Sequence, residues 1–422
     1  MLGKLAYILF IFFYKIAIHI AAIFNHKAKQ WVMGRKNIFP HIQQTCVPTK
    51  HQRIWMHCAS LGEFEQGRPL LEAIKKNYPS VKICLTFFSP SGYEIQKNYT
   101  YADHVYYLPI DGKKNAQQFI HIVQPTIVFW VKYEYWHYYL QAIKNNNIPL
   151  IMVAGLFRQQ QPFFKWYGFF WKKMLNNFSY FFLQNQNSVE LLHSIGITKN
   201  SAVGGDTRFD RVIAIAENFT HISAIQQFCG QHKVIVAGST WDDDEAVLIH
   251  YVKANPTVKY LIAPHQIDHA NIQAVQQSFA GSILYSQWIK DIAKDAMPNF
   301  NVLIIDNIGM LATLYNYATI AYIGGGFNAG GIHNVLEAAV YGKPVIIGPV
   351  YQKFIEAEAL VETGAAISID NALQLEKECN YLLNNTALLQ QKGALAKQFV
   401  HSHAGATQKV MDYIQANRLL TN

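Results

Sequence analysis

Ile320-Ala321-Tyr322-Ile323-Gly324-Gly325-Gly326-Phe327-Asn328-Ala329-Gly330-Gly331-Ile332-His333-Asn334-Val335-Leu336-Glu337-Ala338-Ala339 is the stretch that decides the fold of this chain. A short apolar run ends in three glycines, a small-residue loop follows, and a helical pattern begins. Glycine lets the backbone approach a ligand closely and adopt positive φ. A helix opening near Ile332 or His333 would point its free N–H groups and positive dipole end at the loop, which suits a phosphate. Asn334 and Glu337 share one face of its first turn, and a carboxylate there can accept two ribose hydroxyls. Gly342-Lys343-Pro344-Val345-Ile346-Ile347-Gly348-Pro349 adds a second apolar strand ending in Gly-Pro. Strand, glycine loop, helix and strand make one βαβ unit of a nucleotide-binding half. A tight βα turn without a ligand has the same outline, and Asn334 with Glu337 favours the ligand.

Working outward, the same alternation recurs. Upstream lie Lys233–Thr240, Tyr260–His265 and Val302–Asp306, each an apolar strand with a polar or glycine-bearing end. An earlier series comprises Ile54–Ala59, Val81–Phe87, Val105–Pro109, Thr126–Val131, Pro149–Gly155 and Tyr180–Gln184. Strands alternating with helical stretches predict mainly parallel sheets covered on both faces. Two series of similar length predict an α/β protein of two Rossmann-like domains facing a cleft, residues 31–210 and 211–422. The last helix is a candidate for crossing back to the first domain. Residues 1–30 precede both. Ligands of such sheets bind beyond the carboxyl ends of strands, where Ser60–Glu63, Gly238–Thr240, Pro264–His265, Gly324–Gly331 and Gly348–Pro349 all fall.

The N-terminal stretch 5–24 is apolar and about as long as a bilayer core, but Lys15 and His19 interrupt it. No small-residue cleavage site follows it. His26, Lys27, Lys29, Arg35 and Lys36 come next, and positive flanks stay cytoplasmic. This predicts a membrane anchor, spanning or lying in the interface, with the rest of the chain in the cytoplasm; a buried core helix is the competing reading. Phe163-Phe164-Lys165-Trp166-Tyr167-Gly168-Phe169-Phe170-Trp171-Lys172-Lys173 interleaves aromatics with lysines. That suits a membrane headgroup layer, with stacking on single-stranded nucleic acid or plain core packing as the rivals. The formal net charge of +9 favours anionic partners without choosing among them. Five scattered cysteines form neither a CxxC pair nor a metal spacing, which fits reduced thiols.

Glu63 follows a buried strand at a helix mouth, beside Ser60 and Gly62. It can serve as general base toward an acceptor hydroxyl, or simply as a dipole-compensating charge. Glu134 follows another strand and can orient the same site, with Lys132 placed to hold an anionic group. Ser239 and Thr240 can meet a phosphate, with His265 adding a donor. Asp242-Asp243-Asp244-Glu245 is most simply a capping cluster. Neither a Walker A sequence nor a Gly-x-Ser-x-Gly elbow occurs, which favours direct transfer from an activated nucleotide.

Taken together these motifs resemble the 3-deoxy-D-manno-oct-2-ulosonic acid (Kdo) transferases of lipopolysaccharide synthesis, membrane-associated inverting glycosyltransferases of GT-B type. The carriers are His57–Glu63, Glu134-Tyr135-Trp136, Gly205–Arg211, Ala237–Thr240, Gly324–Gly326, Gly331–Glu337 and Gly348-Pro349 with Phe354. The resemblance runs from the N-terminal anchor to about Gly364. It implies transfer of Kdo from CMP-Kdo to a hydroxyl of the lipid A precursor (lipid IVA) at the cytoplasmic face of the inner membrane. It implies Glu63 as general base, Glu134 as a second acid, and Ser60, Lys132 and Arg208 on the acceptor or phosphate side. Donor contacts would come from Ser239, Thr240, His265, Gly325, Gly326, Gly331, Asn334 and Glu337. No metal, cofactor or nucleic acid is implied. Lys132 replaces the family's common acidic residue, His137 a proline, His265 an arginine and Met310 a glutamate. The alternatives are another membrane-associated GT-B enzyme using a nucleotide sugar, or a nucleotide-binding membrane protein without turnover.

Overall fold

The computed structural model describes residues 2–292 and 300–421. Met1 of the expected anchor, and residues 293–299 and Asn422 of the expected second domain, lie outside the described residues. The chain divides into two compact units, residues 1–211 with 404–422, and residues 212–403.

The first unit is built on seven strands: β1 (Arg53–Cys58), β2 (Lys82–Phe87), β3 (His104–Tyr107), β4 (Ile127–Val131), β5 (Leu150–Gly155), β6 (Tyr180–Leu183) and β7 (Ser201–Val203). They pair in parallel in the order β3-β2-β1-β4-β5-β6-β7. Both faces are covered, so these strands read as continuous apolar runs, and the two-residue period only decides which face each side chain enters. Trp55, Val128 and Trp130 enter one buried cluster. Ile54, Met56, Cys58, Ile127, Phe129 and Val131 enter the other. The helix Ala406–Ala416 supplies Val410, Met411 and Ile414 to that second cluster, so the chain's last helix returns to the first unit. Asp210 holds the return, accepting the amides of Gly405 (2.5 Å) and Thr407 (2.6 Å).

The second unit repeats the plan with β8 (Val234–Thr240), β9 (Lys259–Pro264), β10 (Ile283–Leu284), β11 (Val302–Ile304), β12 (Ile320–Ile323), β13 (Val345–Ile347) and β14 (Ala366–Ser368). The order is β10-β11-β9-β8-β12-β13-β14, again parallel. In both sheets the chain fills one side of the central strand before it resumes on the other, and in the second sheet β11 is laid back between β9 and the edge strand β10. The switch points are therefore β1/β4 and β8/β12, and the crevice at their carboxyl ends is where such sheets take ligands.

Two local expectations need correction. The helix expected to open at Ile332 or His333 begins at Leu336 and lasts one turn, to Ala339. The residues before it are held as loop: Ile332 N–H donates to Val350 O (3.3 Å) and His333 N–H to Gly324 O (3.1 Å). The helix whose mouth was expected at Glu63 begins before it, at Leu61, which puts Glu63 in its first turn.

At the N-terminus the helix Leu2–Phe24 is long and apolar enough to cross a membrane. Tyr7 and Ile11 are buried against the unit, while Leu5, Phe10, Phe12, Phe13, Ile16, Ile20 and Ile23 are exposed. The aromatic segment splits likewise. Phe163 is core, whereas Trp166 and Phe169 stand 95% and 80% exposed. All five cysteines are free and buried.

Candidate active site

In the first unit the loops after β1 and β4 meet around Glu63. Ser60 caps the helix Leu61–Asn77, its hydroxyl accepting the Glu63 amide, while the Glu63 carboxylate accepts the Ala59 amide. This differs from a capping box in that the carboxylate takes the amide of the residue before the cap, Ala59, and it turns the carboxyl back over the end of β1. Burial, and then the neighbouring negative charge of Glu134, push the Glu63 pKa up to about 7. The Ala59 and Tyr133 amides and the charge of Lys132 oppose that rise without cancelling it. A carboxyl poised there is half ionised near neutral pH, which a general base requires.

Glu134 is held rather than free. Its Oε2 takes His57 Nε2 at 2.9 Å and Trp136 Nε1 at 2.8 Å. His57 lies at the end of β1, beside Thr86 on β2 and Trp130 on β4, and its Nδ1 contacts Thr86 Oγ1 at 2.9 Å. Trp130 Nε1 donates to the Glu134 carbonyl at 2.6 Å. Lys132 just before it sits at φ 55°, a region a non-glycine residue enters at a cost, which turns the chain sharply after β4.

Arg208 donates to Asp206 from Nε (3.0 Å) and from a terminal nitrogen (2.8 Å). Asp206 also accepts Gln66 Nε2 (3.0 Å) and Gln184 Nε2 (2.9 Å). Burial alone would raise the Asp206 pKa; the charge and hydrogen bonds of Arg208 outweigh it and hold the carboxyl below its usual range. Two donors expected for an acceptor phosphate are thus committed to an internal carboxylate. Gln66 and Gln184 were missed, and Asp206 was read only as part of Gly205–Arg211, because each is an ordinary polar residue until the fold brings the three together.

The second unit gathers its candidates at β8/β12. Ser239 takes φ 55° at a break in the β8/β9 register, turning the strand end toward Thr240 and Trp241. The Thr240 hydroxyl, expected to meet a phosphate, donates instead to Glu245 at 2.9 Å. His265 stacks on Trp241 (4.4 Å, 22°) and on His333 (4.5 Å, 28°), and Trp241 Nε1 donates to His333 Nε2 at 3.2 Å. Burial, then His265, lower the His333 pKa to about 4, so its ring is neutral and accepts that bond.

The glycines act differently from expectation. Gly325 N–H donates to Asp244 Oδ2 (2.8 Å) and Gly331 N–H to Asn328, so those two amides are spent inside the loop. Their use is steric. A Cβ on Gly326 would stand 2.6 Å from the Gly348 backbone, and one on Gly331 would stand 2.6 Å from the Phe354 ring. Asp244, read from sequence as one of four capping acids, is the pin of this loop. It accepts Tyr322 Oη (2.7 Å), the Gly325 amide and the Trp241 amide (3.0 Å). Asn334 and Glu337 do meet, Nδ2 to Oε1 at 3.1 Å, beside the one-turn helix. Among the described residues no group of three His, Cys, Asp or Glu side chains is placed to hold a metal ion.

Residues 34–211 match the family model described as 3-deoxy-D-manno-octulosonic-acid transferase. The 3-deoxy-D-manno-octulosonic acid transferase of Haemophilus influenzae is 26% identical over 386 residues, covering 88% of this chain and 88% of that protein. That of Aquifex aeolicus is 26% identical over 339 residues, covering 78% of this chain and 86% of its own. A bifunctional glycosyltransferase/methyltransferase of Fusobacterium nucleatum is 26% identical over 348 residues and 78% of this chain, which spans 52% of its length. Among solved structures, UDP-GlcNAc 2-epimerase from Neisseria meningitidis bound to UDP-GlcNAc superimposes with a TM-score of 0.61 at 14% identity, covering 86% of this chain and 100% of that one. MurG of Acinetobacter baumannii gives 0.52 at 15%, covering 86% and 99%. At such identities the likeness is one of fold, the doubly wound GT-B type.

Proposed function

We propose that this chain, whose residues 34–211 match the 3-deoxy-D-manno-octulosonic-acid transferase model, transfers Kdo from CMP-Kdo to a hydroxyl of the lipid A precursor (lipid IVA). Glu63 is the base. Its carboxylate takes the acceptor hydroxyl proton as that oxygen bonds to the anomeric carbon, while the bond from that carbon to the CMP phosphate breaks and CMP departs. Attack from the face opposite the leaving group inverts the centre. The observation carrying this reading is the placement of the Glu63 carboxyl, buried at the end of β1 and held by the Ala59 amide, where burial and then Glu134 raise its pKa to about 7.

The other residues hold that arrangement. Glu134, fixed by His57 and Trp136, keeps a negative charge beside Glu63 and raises its basicity. Lys132 offers an ammonium for an acceptor phosphate, and the Ser60 hydroxyl lies at the same helix mouth. Glu337, oriented by Asn334, is placed for the ribose of the nucleotide, and Ser239 with the stacked His265 for its phosphate. The amides of Gly325 and Gly331 have no part in this version of donor binding. The helix Leu2–Phe24 anchors the enzyme at the cytoplasmic face of the inner membrane, where the acceptor resides.

The test is transfer from CMP-Kdo, made in situ, to a tetraacyl lipid A precursor, by the native protein and by Glu63→Ala. Loss of the reaction by about two to four orders of magnitude with CMP binding retained is the expected result. Unchanged turnover in the variant would remove Glu63 from the mechanism. No transfer by the native protein despite CMP binding would remove the acceptor or the sugar.

A further inference from the structure

The histidine that stands where the family has proline borders a feature the transfer reaction does not use. His137 opens the helix His137–Asn145, and both of its ring nitrogens are buried without a hydrogen-bond partner. The ring packs against Phe170 at 4.9 Å and Tyr7 of the N-terminal helix at 5.9 Å. It lines a cavity of about 400 Å³ together with Lys4, Lys173, Gln141, Asn177 and Phe169. No carboxylate is among the lining residues. Burial, and then the charges of Lys4 and Lys173, drive the His137 pKa down to about 4, so two ammoniums crowd one neutral imidazole.

Like charges gathered around an unsatisfied buried donor, with no counter-ion, destabilise one another until an anion joins them. Two ammonium groups and one imidazole N–H match the oxygens of a phosphate, and charge-assisted bonds to it are the strong kind. Beside the amide side chains of Gln141, Asn176 and Asn177, the cavity also has an apolar side. Phe169, Phe170 and Met174 form it, and Phe169 stands 80% exposed. Lys4 comes from the same helix that exposes Leu5, Leu9, Phe12 and Phe13. A ligand with a phosphate at one end and hydrocarbon at the other satisfies both walls, and a membrane surface presents that ligand.

We propose that this cavity binds the phosphate headgroup of an anionic membrane lipid, seating the anchor helix and the Trp166–Phe169 segment at the headgroup layer. The site rests on the membrane location given above and not on the transfer reaction, so each can fail without the other.

The full chain in detergent would be titrated with a short-chain phosphatidylglycerol, a short-chain phosphatidylcholine and inorganic phosphate, then floated with vesicles of phosphatidylcholine alone or mixed equally with phosphatidylglycerol. Each lysine at a membrane surface is worth about fivefold in binding, so Lys4→Gln with Lys173→Gln should weaken phosphatidylglycerol binding about thirtyfold. Removing the same charge outside the cavity, with Lys27→Gln and Lys29→Gln, should leave short-chain binding within about twofold. His137→Phe, which keeps the packing, should weaken it severalfold. In the native protein the His137 imidazole nitrogen signals should move with phosphatidylglycerol and stay still with phosphatidylcholine. Equal losses in the two lysine pairs would show a diffuse charge effect and overturn the site. Inorganic phosphate binding as tightly as the lipid would overturn the lipid assignment. Vesicle binding indifferent to phosphatidylglycerol, or self-association of the chain through this face in place of vesicle binding, would overturn it as well.

Discussion

Replacing Glu134 by Gln should move the acid limb of the enzyme's pH profile to lower pH. The substitution is isosteric, and the amide oxygen of Gln can still accept from Trp136 Nε1 and His57 Nε2, so the loop after β4 keeps its shape. What disappears is the negative charge next to Glu63, the second-largest cause of a pKa lifted to about 7, after burial. Removing one neighbouring like charge lowers a carboxyl pKa by on the order of one unit. At pH 6 a base with pKa 7 is about one-tenth ionised, and one with pKa 6 about one-half, so the ionised fraction rises about fivefold. Because burial remains, the limb should stay above the ordinary carboxylate range. The plateau rate at high pH should fall, since a weaker base takes the hydroxyl proton less well. The measurement is kcat/KM for Kdo transfer across pH 5 to 9, which reports the free enzyme's base. A limb that stays near pH 7 in Glu134→Gln would refute the electrostatic coupling of the two acids. A limb that persists in Glu63→Gln would refute the assignment of the base itself.

The same shift has a thermodynamic face. A carboxyl whose folded pKa is raised favours the fold while protonated and loses that advantage as pH climbs from about 4.5 to 7, so Glu63→Gln should stabilise the protein by up to about 3 kcal/mol at pH 8 and hardly at pH 4, as read by denaturant midpoints. Asp206→Asn strips Arg208 of its buried partner and should cost about 3 kcal/mol or more; a loss under about 1 kcal/mol would mean the cluster is not cooperative. Gly326→Ala forces a methyl to 2.6 Å from the Gly348 backbone and should destabilise the second unit by a few kcal/mol and abolish CMP binding, both measurable by thermal shift with and without CMP. The N-terminal helix lies with Tyr7 hydrogen-bonded to buried Asp111 (2.6 Å) and Tyr14 edge-on to Trp31 (5.7 Å). A helix held to the unit through Tyr7, Ile11 and Tyr14, with Lys15 exposed at its middle, should lie in the membrane plane, because a spanning one would carry that charge through hydrocarbon. Single cysteines at Lys4 and Lys27, in a chain whose own five are buried, should both react with an impermeant maleimide from one side; labelling from opposite sides would mean the helix spans.

What the sequence disclosed and what it hid follow one physical division. Strands, their order of appearance and the glycine-bearing turns depend on near neighbours, so Glu63 at a helix mouth and Gly324–Gly326 after a strand were legible from residues a few positions apart. Which partners those residues meet depends on pairing between strands far apart in the chain. His57 reads as one histidine in an apolar strand until β1 lies between β2 and β4, which puts Thr86 on one side of it and the Glu134 carboxylate within 2.9 Å. Asp244 reads as one of four acids at a helix start until the pairing of β8 with β12 brings the Gly325 amide and the Tyr322 hydroxyl to it. The misplaced helix start has the same origin: the pattern after Gly331 is helical by local preference, but Val350 and Gly324 capture the amides of Ile332 and His333 first. Amides already paired by distant segments cannot serve a ligand without giving up those bonds, at about 1 kcal/mol or more each. On the proposed function, donor binding would therefore fall to side chains such as Glu337, and to amides outside that captured set, more than the glycine pattern implies.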